Sequence, residues 1–282
     1  MMAGTPEAFE EHRSTMQAMA YRMLGSAAEA EDVVQEAWLR WQSASHEAVR
    51  SVKAYLSTVV TRLCLDRLKS ARAHRELYVG PWLPEPIRTD TPVDPETLSL
   101  AFLVLLESLS PVERAVYLLH EVFGYSHAEV AEMVGKEEAT CRQILHRARE
   151  HIVARRPRFA PSKAQHERLL TGFLSACFSG DLDGLKRLLA EDVTLWPDSG
   201  GKVKGAARNP IHGADSVARL YLGLIKKNQL EVVTEIAEVN GWPAVLIRVN
   251  GVMINVITIE TDGERIHAIH AVLNPDKLHR VG

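Results

Sequence analysis

An all-helical N-terminal half followed by a C-terminal α+β domain is the architecture this sequence predicts. The first observation is a pair of helix-start signatures, Ser110-Pro111-Val112-Glu113 and Ser126-His127-Ala128-Glu129, each with Ser at the N-cap and Glu three residues on. The second is the stripe Ala30, Val33, Val34, Ala37, Trp38 and Trp41, whose spacing is helical. The third is the series Asn240-Gly241, Asn250-Gly251 and Asp262-Gly263, dipeptides that close hairpins, set between apolar segments. With 282 residues and 46% hydrophobic composition, the chain can fill more than one core.

The first helix is expected from Pro6 to Leu24, with Gly25 as its stop. Ser26-Ala27-Ala28-Glu29 caps the second, which buries the Ala30–Trp41 stripe and leaves Glu31, Asp32, Gln35, Glu36 and Arg40 outside. Periodicity alone makes that outer side either a solvated face or a docking face. A third helix, from Val52 to about Arg72, gathers Arg62, Arg67, Lys69, Arg72 and Arg75 toward its end. Basic residues there complement the helix dipole, and so dense a cluster also suits a phosphate backbone.

Residues Tyr78 to Pro95 contain Trp82-Leu83-Pro84-Glu85-Pro86 and further prolines, which forbid a helix and favour an extended strap. A Trp beside Leu in such a strap calls for burial against something. After it comes the helix-turn-helix. Its third helix starts near Glu137, turns Cys141, Ile144, Leu145 and Ala148 inward, and projects Arg142, Gln143, His146, Arg147 and Arg149. Arg and Gln on a helix that follows a short Gly turn suit base edges and phosphates in a major groove.

The formal net charge of −3 is close to neutral, so nucleic-acid contact has to come from a local patch. One exists: Arg142, Arg147, Arg149, Arg155, Arg156, Arg158 and Lys163 are opposed only by Glu150. Cys64, Cys141 and Cys177 each sit in an apolar helical pattern without metal-ligand spacing, and read as core. No signal peptide and no membrane-spanning run are expected, so the predicted location is cytoplasmic.

From Gln165 the pattern changes. Helices at Gln165–Phe178 and Leu182–Ala190 lead to a short strand, Val193–Trp196, and the turn Asp198-Ser199-Gly200-Gly201-Lys202. A helix from Asp215 to Lys226 precedes an antiparallel meander. With two-residue turns throughout, Glu235 pairs with Leu246, Leu246 with Asn255 and Asn255 with His270, which sets Glu235, Asn255 and His270 in one row with Arg248 a pleat away. The other face then carries Ile236, Val245, Ile247, Val249, Val252, Ile254, Val256, Ile269 and Leu273 under the helices. The mixed face, with Met253, Ile257, Ile259, Ile266 and Val272, is either a pocket lined by Glu235, Arg248, Asn255 and His270 or a docking surface.

Ala30-Glu31-Asp32-Val33-Val34-Gln35-Glu36-Ala37-Trp38 resembles the polymerase-binding helix of the sigma-70 family, in particular its extracytoplasmic-function (ECF) group, and the later three-helix unit resembles that group's region four. The resemblance covers residues 6–155. It implies a sigma region 2 over 6–77, a linker over 78–95 and a region 4 over 96–155. It further implies that Asp32, Gln35, Glu36 and Arg40 meet the β′ clamp helices of core RNA polymerase, with the β flap as a further contact. Arg62, Arg67, Lys69, Arg72 and Arg75 then meet the −10 element, and Arg142, Gln143, His146, Arg147 and Arg149 the −35 element.

The third helix departs from the family in opening with Lys136-Glu137-Glu138 instead of a strong N-cap. Trp82-Leu83-Pro84-Glu85-Pro86 resembles the linker of the ECF41-like subgroup, in which a C-terminal domain is fused to the sigma module. Residues 164–282 are similar to the SnoaL-like, or NTF2-like, cone. Asn274-Pro275-Asp276-Lys277-Leu278 matches the subgroup's tail motif, and Asp198 to Lys202 its glycine-rich turn, with Ser199 in place of a glycine. The implied activity is promoter-specific transcription initiation, modulated through the strap, the turn and the tail, with no catalysis and no cofactor of its own. The alternative is a ligand-responsive DNA-binding regulator whose cone senses a small molecule.

Overall fold

A computed structural model describes residues 6–45, 49–89, 98–155, 161–227 and 232–281, with backbone only at 71–76, 155 and 227. The chain forms two compact units: Met1–Glu76 with Leu103–Arg156, and Leu77–Phe102 with Pro157–Gly282. The proline-rich strap therefore belongs with the C-terminal residues.

The first unit is helical. Its elements are α1 (Pro6–Leu24), α2 (Ala27–Gln42), α3 (Val52–Glu76), α4 (Leu100–Leu106, which enters this unit at Leu103), α5 (Pro111–Tyr117), a π-helical turn (Leu118–Val122), α6 (His127–Val134) and α7 (Glu138–Arg155). The start signals act as the sequence indicates. Ser26 accepts from the Glu29 amide, and complete capping boxes open α5 at Ser110–Glu113 and α6 at Ser126–Glu129. On α2, Ala30, Val33, Val34, Ala37 and Trp41 are buried, while Trp38 is half-buried and meets Phe9 edge-on with centroids 4.9 Å apart. Gly135 ends α6 at φ 67°, where a β-carbon would be strained.

Helix α3 ties the three N-terminal helices to the helix-turn-helix within this unit. Ser57 Oγ and Tyr125 Oη share a buried hydrogen bond of 2.7 Å. Arg62 donates to the Met133 and Glu132 carbonyls at the end of α6. Arg114, 3% exposed, donates to the Met23 carbonyl at 2.8 Å and pairs with Glu107 at 2.6 Å. A buried guanidinium is tolerated because both partners are present.

The second unit holds α8 (Lys163–Ser179), α9 (Leu182–Leu188), α10 (Ala214–Lys227) and strands β1 (Leu189–Asp198), β2 (Ile211–His212), β3 (Val232–Val239), β4 (Trp242–Val249), β5 (Val252–Thr261) and β6 (Ile266–Val272). The sheet order is β2-β1-β6-β5-β4-β3. β1 runs parallel to β6 and the other pairs are antiparallel. This is the α+β, NTF2-like cone that the sequence indicates. One sheet face packs under the helices through Leu169, Phe173, Leu185, Val193, Leu195, Tyr221, Val245, Ile257 and Ile269.

The first two hairpins close as expected: Asn240 and Asn250 adopt φ 53° and 50°, and Val239 faces Trp242 and Val249 faces Val252. Beyond that the expected register needs correction. Arg248 pairs with Met253 but Ile247 pairs with Asn255, so Ile254 is an extra residue and the rest of β5 turns over. Leu246 consequently pairs with Val256, not Asn255.

The third turn is longer than two residues. The Asp262 Oδ1 accepts from the Glu264 and Arg265 amides at 2.9 and 2.8 Å, Thr261 pairs with Ile266, and His270 faces Thr258 instead of Asn255. Ile257, Ile259 and Ile266, expected on the mixed face, lie in the helix-covered core. Val256 and Val272 lie on the opposite face with Leu246, and Val252 and Ile254 are exposed.

Candidate functional surfaces

On α2 the side chains outside the core form an acidic face. Asp32, Gln35 and Arg40 are exposed and Glu36 is half-buried. Arg40 pairs with Glu36 at 2.8 Å. Arg67, from α3, reaches the Glu29 carbonyl at 3.1 Å and lies 3.7 Å from both Asp32 and Glu36. Beside this face is a groove of about 760 Å³ whose lining includes Glu10, Arg13, Gln17, Glu31, Gln35 and Trp38. Of the other basic residues expected on α3, Lys69 pairs with Asp66 at 3.1 Å. The side chains of Arg72 and Arg75 lie outside the described residues, as do Arg155, Arg156 and Arg158.

Helix α7 presents Arg142, Gln143, His146, Arg147 and Arg149 to solvent and buries Cys141, Leu145, Ala148 and Ile152. Three of the exposed residues have nearby acidic partners: Arg142 with Glu138, Arg149 with Glu121 at 2.6 Å, and His146 with Glu150 at 3.7 Å. Such exposed pairs exchange easily for a phosphate or base edge, because each contributes at most about 1 kcal/mol. At the helix turn, the His120 and His127 rings stack with centroids 4.3 Å apart, and burial, then His120, lowers the His127 pKa.

The strap lies on the sheet face away from the helices. Asp198, Val272, Val256, Leu246 and Glu235 form one row across β1, β6, β5, β4 and β3. The strap touches both ends of it: Leu83 N donates to Asp198 Oδ2 at 2.8 Å and Arg88 pairs with Glu235 at 3.1 Å. Four strand spacings are about 19 Å, and the stretch from residue 83 to 88 extends roughly 16 Å, so strap and Arg88 side chain together span the sheet. Leu83, Pro84, Glu85 and Pro86 are buried.

Main-chain bonding is nearly complete along this segment. Pro81, Pro84 and Pro86 have no amide proton to satisfy. Ile87 N donates to Asn240 Oδ1 at 3.1 Å, Arg88 N to the Arg280 carbonyl at 3.2 Å and Thr89 N to the Glu238 carbonyl at 3.1 Å. Asn240 completes the clamp through Nδ2 to the Leu98 carbonyl, 3.1 Å away.

The turn and the tail close on the strap's first residues. Lys277 Nζ lies 2.7 Å from Asp198 Oδ2 and 2.6 Å from the Leu83 carbonyl. Its ammonium stands over the Trp82 ring at 4.2 Å and the Tyr78 ring at 5.0 Å. Tyr78 donates to Asp198 Oδ1 and accepts from Asn274 Nδ2 at 2.9 Å; burial, then Asp198, pushes its phenol pKa up. Lys202 pairs with Asp276, Pro275 opens the 3-10 turn that places Lys277, and Leu278 is buried.

The four residues expected to line a pocket do not all come together: only Glu235 and Arg248 meet. Glu235 and Arg248 are joined at 2.7 Å, and Arg248, then Arg88, holds the Glu235 carboxyl below its ordinary pKa. Asn255 is half-buried and faces Ile247. His270 is 1% exposed, 3.4 Å from Glu260, and burial lowers its pKa. Because the extra residue in β5, the longer β5–β6 turn and a further extra residue at His267 in β6 displace the register, no row contains Glu235, Asn255 and His270.

Comparison with known proteins identifies the family. Residues 8–74 match the family model for sigma-70 region 2, and residues 99–152 the model for sigma-70 region 4. The chain is 39% identical over 292 aligned positions to the ECF RNA polymerase sigma factor SigJ of Mycobacterium tuberculosis, covering 95% of this chain and 91% of that one. It is an ECF sigma factor. A probable ECF sigma factor of the same organism, SigI, is 34% identical over 96% of this chain and 93% of its own. The crystal structure of the M. tuberculosis SigJ superposes with a TM-score of 0.76 at 34% identity, covering 97% of this chain and 98% of that one.

As a sigma factor the protein directs core RNA polymerase to promoters, and its fold contains groups that the sequence did not single out. Tyr78 had only its place before Gly80-Pro81 as a signal. Asn240 read as a hairpin residue, although it is fully buried and holds the strap at two points. Ser57 and Tyr125 are far apart in the chain and carried no sequence signal. Among the described residues, no helix is long and apolar enough to cross a membrane and no cluster of metal ligands is present.

Proposed function

We propose that this sigma factor is controlled from within, by the C-terminal unit's hold on the strap. The observation that carries the proposal is the burial of Leu83 to Pro86 on the sheet, with Asp198 and Lys277 closing over Leu83. A strap held in this way is withdrawn from any path it would take through polymerase. In the same reading, Asp32, Gln35, Glu36 and Arg40 meet the β′ clamp helices, and region 4 engages the β flap. Arg142, Gln143, His146, Arg147 and Arg149 face the −35 element, while Arg62, Arg67, Lys69, Arg72 and Arg75 follow the −10 strand, with Arg62, Arg67 and Lys69 exchanging their intramolecular partners for DNA. The working compartment is the cytoplasm, and the polymerase supplies the chemistry.

The strap's occupation of the sheet face supports docking over catalysis for the C-terminal unit, and leaves Glu235, Arg248, Asn255 and His270 as structural groups. The test is run-off transcription with purified core polymerase. Asp32→Ala with Gln35→Ala should abolish activity without altering folding, and Trp82→Ala should change the activity of the full chain. Transcription unaffected by Trp82→Ala removes the strap from the control; transcription unaffected by the α2 pair removes the polymerase assignment.

A further inference from the structure

Asp198 is fully buried in the C-terminal unit, and its carboxylate accepts from three directions: the Leu83 amide, the Tyr78 hydroxyl and the Lys277 ammonium. The ammonium has its own complete set of partners. One N–H meets Asp198 Oδ2 at 2.7 Å and another the Leu83 carbonyl at 2.6 Å. The remaining positive edge faces the Trp82 and Tyr78 rings, at 4.2 and 5.0 Å from their centroids. Two aromatic faces, a carboxylate and a carbonyl around one nitrogen are the parts of a cation receptor. Only the ligand is unusual, because it is a side chain of the same protein.

We propose that Tyr78, Trp82, Asp198 and the Leu83 carbonyl form a binding site for a primary alkylammonium, with Lys277 as its built-in ligand. The site selects primary amines. A quaternary ammonium satisfies the ring faces but has no N–H for Leu83 and Asp198, and would leave both acceptors buried without a donor. Lys277 arrives from the 3-10 turn Pro275–Lys277, fixed by Asn274, whose Oδ1 accepts from the Asp276 amide at 3.2 Å. The ligand thus belongs to the tail and the receptor to the strap and β1. A soluble primary amine that takes the site releases the tail while leaving the receptor's charges balanced.

The inference deepens the strap-control reading but is read without polymerase, so either can fail alone. In Lys277→Ala the atoms removed correspond to n-propylammonium. The variant should lose its strap to limited proteolysis several-fold faster than the unaltered protein. Saturating n-propylammonium should restore protection, whereas tetramethylammonium at equal ionic strength should not, and adding Asp198→Asn should abolish the rescue. Equal rescue by both cations, or none in a variant whose circular dichroism matches the unaltered chain, overturns the site. Should Lys277→Ala not fold, the unaltered protein decides: the two rings should displace the Lys277 ε-methylene proton resonances upfield, and Trp82→Ala should move them back. Undisplaced resonances overturn the proposal.

Discussion

Two stretches of this chain bear family signatures, and the molecule treats them in opposite ways. On α2, Asp32 and Gln35 stand in solvent. In the strap, Leu83 to Pro86 are buried, and the Leu83 amide is hydrogen-bonded to Asp198 of the sheet. A recognisable motif is thus not by itself a surface for a partner: what α2 leaves in solvent, the strap uses on its own chain. The distinction is energetic. Exposed charges can change partners at little cost, whereas a buried carboxylate and ammonium fix whatever lies between them.

The comparison breaks most sharply at Asp198. Asp198→Ala leaves the Lys277 ammonium unbalanced and the Leu83 amide without its acceptor, and should cost about 3–5 kcal/mol in the C-terminal unit. Denaturant unfolding measures it, and a loss below about 1 kcal/mol would show that water reaches the pair. Gly200→Ala is the next largest. Gly200 has φ 56°, and an added β-carbon would stand 2.6 Å from Asn274 Nδ2 and 2.9 Å from the Tyr78 hydroxyl, so roughly 2 kcal/mol of destabilisation is expected. An unchanged melting temperature would mean that the turn can move away from the strap.

Acid sharpens the contrast in a different manner. Burial lowers His166 to about 4, from an ordinary 6.5, and also lowers His270. For His166 the unfolded chain therefore binds more protons than the folded one between those values, and stability falls as the pH drops through that window, by about 1.4 kcal/mol per pH unit; His270 contributes in the same direction. In His166→Gln the slope should lose one proton's worth; an unaltered slope would assign the acid sensitivity elsewhere. The smallest effect on folding is expected for Asp32→Ala combined with Gln35→Ala, within about 0.5 kcal/mol. A larger loss measured by thermal melting would show that the open face of α2 also supports its own fold.

Much of the helical unit was legible because its signals are local. Ser110 with Glu113 and Ser126 with Glu129 need only neighbouring residues to form their caps, and the α2 stripe needs only a helix. The first two hairpins were legible for the same reason, since Asn-Gly specifies the turn. The third was not. Asp262 accepts two amides of its own loop and lengthens the turn, and the extra residue at Ile254 has no composition signal. Those two events, with a further extra residue at His267 in β6, displaced the expected row of Glu235, Asn255 and His270. The strap was half legible: Trp82-Leu83 announced burial, but the surface receiving it is built from residues far along the chain.

That distance has a consequence for the newborn protein. Leu83 and Lys277 are 194 residues apart, so at 5–20 residues per second a ribosome needs roughly 10–40 s to make the second after the first. During that interval the N-terminal helices exist while the clasp for the strap is still unwritten. Each chain therefore begins life with its strap free, and the order of synthesis gives every molecule an unclasped period before its own tail can close it.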